Sequence, residues 1–591
     1  MGQDDDALRP PLGPRTAMRF DSDPPYEVTE VNTVPARVPA EFWILALEHG
    51  ERTLLCDAAE AFVRAKREDL PGIPENAGAA LLSAFQKTVD QLSREALATA
   101  LIELSEKSAI DELSQAVNQG DYRFDHIVEP ALARWQVAEV QERNRNRLAD
   151  ANALTIWRKH AIAVAEAGQD SAAKEELLKV IFDDRERTDL RLSAAQCLGK
   201  IETQGLSEDA DRLLSDQQNV VRIAELLALE LLRHHHDPDS LPVLKRLTSS
   251  SEPTVQAGAL QLLQAIGPEH VIKTAADLDL GLEHPHAGLR ATIIESAYAI
   301  GDVAAVVRLA QFLDDPLPAN REMATDAMFD LSQRESELLS AVKEHVNTAL
   351  TSDSWRVLVQ ACLLAAGLKM GDTAPRMAEL LTHARTEVGS TAAYAIKVFA
   401  NEDLLPIALR QVESNLEKRF DTADPRRYRD LLYTNEQTQH LSEFMGMLRY
   451  RSADPILQRL IPKKDPDNTV IGDPRTRAIG IWAIGQIRMG EPDDEQLVAA
   501  LTARLNDNTG PRPEQEPVRE GCAYALGWMK AEQSLEALQS FAGRSYIRRC
   551  TPAACAWAVS HLTGEPMQLD GPLEYEVSSG WFLGPTREVE E

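Results

Sequence analysis

Cysteine is scarce in this chain. Six occur in 591 residues, Cys56, Cys197, Cys362, Cys522, Cys550 and Cys555, and no two form a Cys-x-x-Cys pair. That is too sparse for a disulfide framework and lacks the spacing of a zinc or dithiol site. Positive charge is in deficit too. Lys and Arg number 62 against 93 Asp and Glu, a net charge of −31, and so acidic a surface repels nucleic acid and anionic membrane. Aromatic residues make up only 5%. The uncharged run 253–268 is interrupted by Gln256, Gln261 and Gln264 and falls short of the ~18 apolar residues of a membrane span. The opening MGQDDDALRPPLG has no apolar core of a secretory signal. The expectation is a soluble protein of a reducing, cytoplasmic compartment. Recognisable catalytic motifs are missing as well: there is no GxSxG, HExxH, GxxxxGK[ST] or GxGxxG, and paired carboxylates in so acidic a chain select nothing.

What is present is helical periodicity. The apolar content of 44% excludes wholesale disorder. From Ala40 onward, runs such as RTLLCDAAEAFVRAK and NAGAALLSAFQKTVDQL place apolar residues at i, i+3, i+4 and i+7. No comparable run alternates with period two. Residues 1–39 differ, with seven prolines and no apolar period, and read as a flexible acidic arm.

The helical stretches repeat. Reading offsets +3, +4, +7, +8 and +10 from a polar anchor, Arg191 gives Ala194, Ala195, Leu198, Gly199 and Ile201. Arg477 gives Gly480, Ile481, Ile484, Gly485 and Ile487, and Arg519 gives Cys522, Ala523, Leu526, Gly527 and Met529. Arg290, Arg321 and Arg356 fit with small substitutions, and looser copies start at Arg222, Gln256, Gly389, Thr438 and Pro552. The first six spacings from Arg191 lie between 31 and 35 residues, one helical hairpin per repeat. Glycine at +8 (Gly199, Gly446, Gly485, Gly527) removes a side chain at a helix crossing or a helix end, and its cost of ~1 kcal/mol inside a helix makes its recurrence informative. Pro242, Pro375 and Pro455 suit the first turn of the partner helices, with Asp454 as an N-cap.

The segments DLRLSAAQCLGKI (189–201), DPRTRAIGIWAIGQI (473–487) and EPVREGCAYALGWM (516–529) resemble the HEAT-repeat superfamily, in particular the short bacterial HEAT-like repeats of the phycobilin-lyase type. The resemblance covers 189–564 well and 40–188 more loosely. It implies an all-α fold, a right-handed α-solenoid of stacked HEAT-like helical hairpins. The expected organisation is an arm at 1–39, degenerate helical repeats at 40–188, the regular array at 189–564 with a basic insertion around 410–435, and a non-helical capping tail at 565–591. The class includes scaffolds, adaptors, chromophore lyases and DNA glycosylases.

Several residues invite a chemical reading. Cys522 and Cys555 sit at +3 and Cys197 and Cys362 at +6, slots for small packing residues. His234, His235 and His236 end a helix, where consecutive side chains diverge by ~100° and suit the dipole rather than one metal ion. Glu283, His284 and His286 offer no third ligand. Asp465, Asp467, Asn468 and Asp473 form an oxygen-rich turn, with Val470 where an EF-hand loop needs Gly. The departure from background is the long spacing after Gly389. Residues 410–464 carry 11 basic against 8 acidic side chains, and solenoid insertions map to loops on one face. Arg426, Arg427, Arg429, Arg449, Arg451, Lys463 and Lys464 are therefore the candidate partner-binding residues, with Tyr428 beside them. The reading is a non-catalytic scaffold for a protein or peptide partner, acidic where it meets this segment. No catalytic residue, cofactor or metal is expected. The alternatives are a lyase or isomerase acting on a bound chromophore, and nucleic-acid binding through the basic insertion.

Overall fold

The structure, a computed structural model, describes residues 40–117, 121–215, 221–418, 425–463, 473–509, 512–542 and 550–565, the side chains of 425–427 and 550 excepted. All regular structure among them is helical. They fall into two compact units, one within Pro24–Ser296 and one within Ala297–Glu591. Each is a two-layer stack of helices, as the solenoid reading requires. In the N-terminal unit one layer is the succession Arg52–Arg67, Gln91–Glu103, Tyr122–Arg134, Thr155–Gly168, Thr188–Ile201, Val221–Leu232 and Pro253–Ile266, each packed on the next. The C-terminal unit has a layer of its own, Pro318–Ser332, Trp355–Gly367, Thr386–Phe399, Pro425–Met447, Pro474–Ile487, Glu516–Trp528 and Cys550–Thr563, each packed on the next. The intervening helices form a second, more loosely joined layer. The stacking continues through residue 188 within the first unit.

The close-packed layer is built by the motif. In Thr188–Ile201, Leu190, Ala194, Ala195, Cys197 and Leu198 are all buried, an apolar stripe that a lone hairpin could not cover. The +8 glycines lie at crossings. A Cβ on Gly199 would stand 2.7 Å from the Leu231 carbonyl oxygen, and one on Gly446 2.8 Å from the Ala483 Cα. Aspartates cap many helices: Asp90, Asp302, Asp473 and Asp494 accept backbone N–H groups of Ser93, Ala305, Thr476 and Leu497 at 2.7–3.1 Å.

The anchor arginines have a shared task. Arg191 Nε donates to the Ile181 carbonyl at 2.9 Å, Arg519 Nε to Leu505 at 2.9 Å, and Arg477 to Leu460 and Ile461 at 3.1 and 2.9 Å. Each reaches back to carbonyls at or just past the end of the preceding helical segment, groups with no intrahelical partner. Arg290 and Arg321 do the same for the connecting turns, at His284 and at Asp315 and Pro316.

Two expectations need correction. The segment after Gly389 is not chiefly a loop: the described part consists of helices Leu405–Glu417 and Pro425–Met447, the latter 23 residues or about 34 Å long. A network holds it in place. Gln411 Nε2 and Asn415 Nδ2 donate to Gln437 Oε1 at 3.0 and 2.8 Å, and Gln437 Nε2 donates to the Leu381 carbonyl at 2.9 Å. Asp454 is also not an N-cap. A 3-10 turn at Arg451–Ala453 precedes it, so it is already helical, and its carboxylate accepts from Arg488 Nε at 2.8 Å. Pro242, Pro375 and Pro455 do occupy first turns. Helix Cys550–Thr563 ends before Gly564, at φ +74°; the tail from 566 lies outside the described residues.

Candidate partner-binding surface

The four of the seven basic residues whose side chains are described, Arg429, Arg449, Arg451 and Lys463, do not form one patch. Arg426 and Arg427 lie in the first turn of Pro425–Met447, their side chains outside the described set, as is Lys464. Arg429 stands one turn on and approaches Glu387 at 3.9 Å. Arg449 lies beyond the other end of that helix, about 27 Å or more away by helical rise. It occupies the left-handed position at φ 50°, where its N–H reaches the Gly446 carbonyl at 3.0 Å, so its backbone closes the helix while its side chain is exposed. Arg451 makes a two-point contact with Glu491 at 2.7 and 2.5 Å. Lys463 pairs with Asp507 at 3.4 Å and donates to the Arg512 carbonyl.

Sequence inspection missed the company Arg429 keeps. Four arginines come from the N-terminal ends of four successive close-packed helices: Arg321, Arg356, Arg385 and Arg429. Three surround one indole, with guanidinium carbons 4.4 Å (Arg385), 5.6 Å (Arg356) and 5.9 Å (Arg321) from the Trp355 ring centre. Glu387 serves both Arg385, at 2.8 Å, and Arg429. Asp314 approaches Arg356 at 3.4 Å. Arg321 is 9% exposed, its Nε has no hydrogen-bond partner among the described residues, and burial together with the nearby Arg356 lowers its pKa. The usable signal is the anchor position itself: Arg321 and Arg356 are repeat markers in the sequence, and markers one repeat apart are neighbours.

Behind this edge lies a buried polar layer. Glu436 accepts from Ser390 Oγ at 2.7 Å, and burial pushes its carboxyl up to about 7. His440 packs on Tyr394 with ring centres 5.5 Å apart, and burial holds it neutral, well below the usual imidazole range.

The N-terminal unit holds a second concentration of charge. Buried Glu129 receives His160 Nε2 at 2.8 Å, Asn144 Nδ2 at 2.9 Å and Arg147 at 2.6 Å, with Arg143 at 3.0 Å. Burial alone would raise its pKa; these partners outweigh that and lower it. Asp125, one turn away, is pushed up to about 6 by burial and by the Glu129 charge. Arg147 lies over Trp157 at 4.4 Å, which meets Tyr122 edge-on at 5.0 Å. An open cleft of about 490 Å³ beside them is lined by Glu139, Glu142, Arg143, Asn146, Arg147, Asp150 and Ala153.

The other sequence candidates are placed as follows. Cys197, Cys362, Cys522 and Cys555 are buried, and burial pushes Cys197, Cys362 and Cys555 up to about 12. His235 is buried beside Asp237, and His284 bonds Gln256 at 2.7 Å. Among the described residues no three His, Cys, Asp or Glu side chains are grouped to hold a metal ion. Asp465, Asp467 and Asn468 lie outside them. No described helix is long and apolar enough to cross a membrane.

The repeat geometry has a counterpart among known families. Residues 518–543 match the PBS lyase HEAT-like repeat. The HEAT-repeat resemblance thus holds where the motif is most regular. Solved structures to which this chain is similar include yeast importin-beta, Kap95p, at 12% identity over 89% of this chain and 73% of that one with a TM-score of 0.40. The complex of Kap95 with Nup1 gives 12%, 89%, 73% and 0.41. The karyopherin Kap121p, bound to the extreme C-terminus of the phosphatase Cdc14p, gives 12%, 89%, 67% and 0.38. The chromosome partition protein Smc of Thauera aminoaromatica is 28% identical over 205 residues, which are 34% of this chain. The match spans only 15% of that curated relative's length. What these proteins bind or partition is a property of theirs.

Proposed function

We propose that the protein is a non-catalytic scaffold that holds a protein or peptide partner along an edge of its helical stack. The observation that carries this reading is a row of apolar side chains in water at the N-terminal ends of close-packed helices in the N-terminal unit. Val89 is 94% exposed before Gln91–Glu103, Leu154 68% exposed before Thr155–Gly168, and Val221 71% exposed at the start of Val221–Leu232. Leu92 and Ile156 join them. In a stack of hairpins the helices of one layer run parallel, so these ends share an edge, with one helix between each exposed pair, and the edge offers a partner several separate apolar contacts. Tyr122, Trp157 and Arg147 on the same helices and their neighbour are residue types that anchor interfaces. The basic segment of Arg426, Arg427, Arg429, Arg449, Arg451, Lys463 and Lys464 enters as a second contact, supported by the exposure of Arg449 and Tyr428.

The test is Leu154→Glu with Ile156→Glu. Both side chains are exposed, so the thermal melt should stay unchanged while a partner recovered from native lysate by the unaltered protein is lost. Recovery of the same partner in the same amount by the folded variant removes this edge from consideration.

A further inference from the structure

We infer that the arginine–tryptophan cluster at the N-terminal ends of Pro318–Ser332, Trp355–Gly367, Thr386–Phe399 and Pro425–Met447 is a docking site for an acidic peptide segment. The inference refines the partner side of the scaffold reading and rests on it only in taking the ligand to be polypeptide.

Charge is the first reason. Of the four guanidiniums, Arg356 has Asp314, while Arg385 and Arg429 share Glu387. Among the described residues Arg321 hydrogen-bonds the carbonyl oxygens of Asp315 and Pro316. The Asp315 carboxylate is occupied by the Leu317 N–H and Asn320 Nδ2, and Asp430 accepts from Thr386 Oγ1. The buried Arg321 guanidinium thus hydrogen-bonds no carboxylate among the described residues; it lies beside Arg356, with the Asp315 and Asp314 charges near but not bonded to it, in a protein of net charge −31. An anion entering here relieves the repulsion between Arg321 and Arg356.

The second reason is geometry. Arg321 Nε is unpartnered among the described residues, is nine-tenths buried, and its guanidinium lies toward the Trp355 ring. The indole fixes three forks around one point, and forks so oriented suit carboxylate oxygens taken two at a time. The helix N-termini add partial positive charge along the same edge. Successive helices in such a layer stand roughly 10 Å apart, and side chains on one face of an extended peptide recur every ~7 Å. The Arg321, Arg356 and Arg385 guanidiniums lie within 5.9 Å of one ring centre, so a run of three or four Glu or Asp residues, ~10–14 Å when extended, spans those three. Nucleic acid is the less suitable occupant, because its charge extends beyond the cluster onto a surface that repels it.

The probe is a fluorescein-labelled hexaglutamate peptide, with hexaglutamine as control, titrated against the full chain by anisotropy at ~50 and ~300 mM salt. Binding of hexaglutamate alone, weakened by salt, is expected. Arg385→Gln and Arg356→Gln, both half-exposed, should each weaken it roughly tenfold with the melt unchanged, and Trp355→Ala should do so at constant charge. Absence of hexaglutamate binding at low salt overturns the inference, as does binding that all three variants retain. Tighter binding of a labelled oligothymidine, lost in the same variants, replaces it with nucleic-acid recognition. The scaffold reading is judged separately, by the Leu154/Ile156 variant on the other unit.

Discussion

Gly485→Ala sets two familiar effects against each other. Replacing glycine by alanine inside an exposed helix stabilises by about 1 kcal/mol. Gly485 lies within Pro474–Ile487, where a Cβ would stand 2.6 Å from the Ala525 Cα and 3.0 Å from both the Ala525 Cβ and Trp528 Cε3. Ordinary carbon contacts are about 3.5–4.0 Å, so the two helices must separate by roughly 1 Å. The obstructing atoms include backbone, which cannot rotate aside, and overpacking of this kind costs about 1–3 kcal/mol. Both helices are buried along this length, which puts the cost toward the upper end. Net destabilisation of about 1–2 kcal/mol is expected. The internal control is Gly258→Ala, where the nearest atom is Leu229 Cδ2 at 2.8 Å, the free end of a side chain that can turn away. Urea unfolding of both variants, followed by tryptophan fluorescence and far-ultraviolet dichroism, should show the first destabilised and the second neutral or stabilised. If Gly485→Ala matches or exceeds the unaltered protein in stability, the glycine is not a crossing residue and the packing argument for the repeat fails.

Other outcomes are equally open to measurement. Asp125 at about 6 and Glu436 at about 7 bind protons more tightly folded than unfolded, so their stabilising contribution is fullest below about pH 4 and is lost as pH rises toward 7. Asp125→Asn and Glu436→Gln should therefore gain more relative to the parent at pH 8 than at pH 4.5, by about 2–3 kcal/mol at most; a difference independent of pH contradicts the assignment. Arg477 donates to both oxygens of buried Glu514 at 2.9 Å, so Glu514→Gln should cost about 3 kcal/mol in denaturant melts by stranding the guanidinium, whereas Glu491→Gln, at the exposed Arg451 pair, should leave the melt in place. In a Cys550→Ser background, native-state thiol labelling should reach Cys56 and spare Cys197, Cys362, Cys522 and Cys555, all buried; rapid labelling of four or five thiols would mean the stack opens readily.

The fold was legible because its periodic part is local. Apolar residues at +3, +4 and +7 and glycine at +8 report on one helix and its next neighbour, and Gly199, Gly446, Gly485 and Gly527 all proved to be crossings. The long spacing after Gly389 suggests a loop because charge and length are its visible signals. The burial of Gln411, Asn415 and Gln437, which makes it helical and packed, depends on partners up to 56 residues away. The candidate site was legible only at one corner. Arg429 stood out through its basic neighbours, while Arg321, Arg356 and Arg385 lie in segments of ordinary charge and meet it through the stacking. The role of the anchor arginines was hidden for a related reason: the pattern fixes where they recur, and the carbonyls they hold belong to residues that follow no pattern.

Those carbonyl contacts bear on how the array could have grown. Arg191 depends on Ile181, Arg519 on Leu505 and Arg477 on Leu460 and Ile461, so each arginine and its acceptor are separated by 10 to 17 residues. A segment copied from one arginine to the next would leave its first arginine dependent on foreign carbonyls. A segment that begins before the acceptor, near 181 rather than at 191, carries lock and keyhole together. The unit that contains its own contact is therefore offset by about one short helix from the unit that the most visible motif suggests. A segment cut with that offset carries each of these contacts within itself, and one cut at the arginine relies on the carbonyls of whatever precedes it.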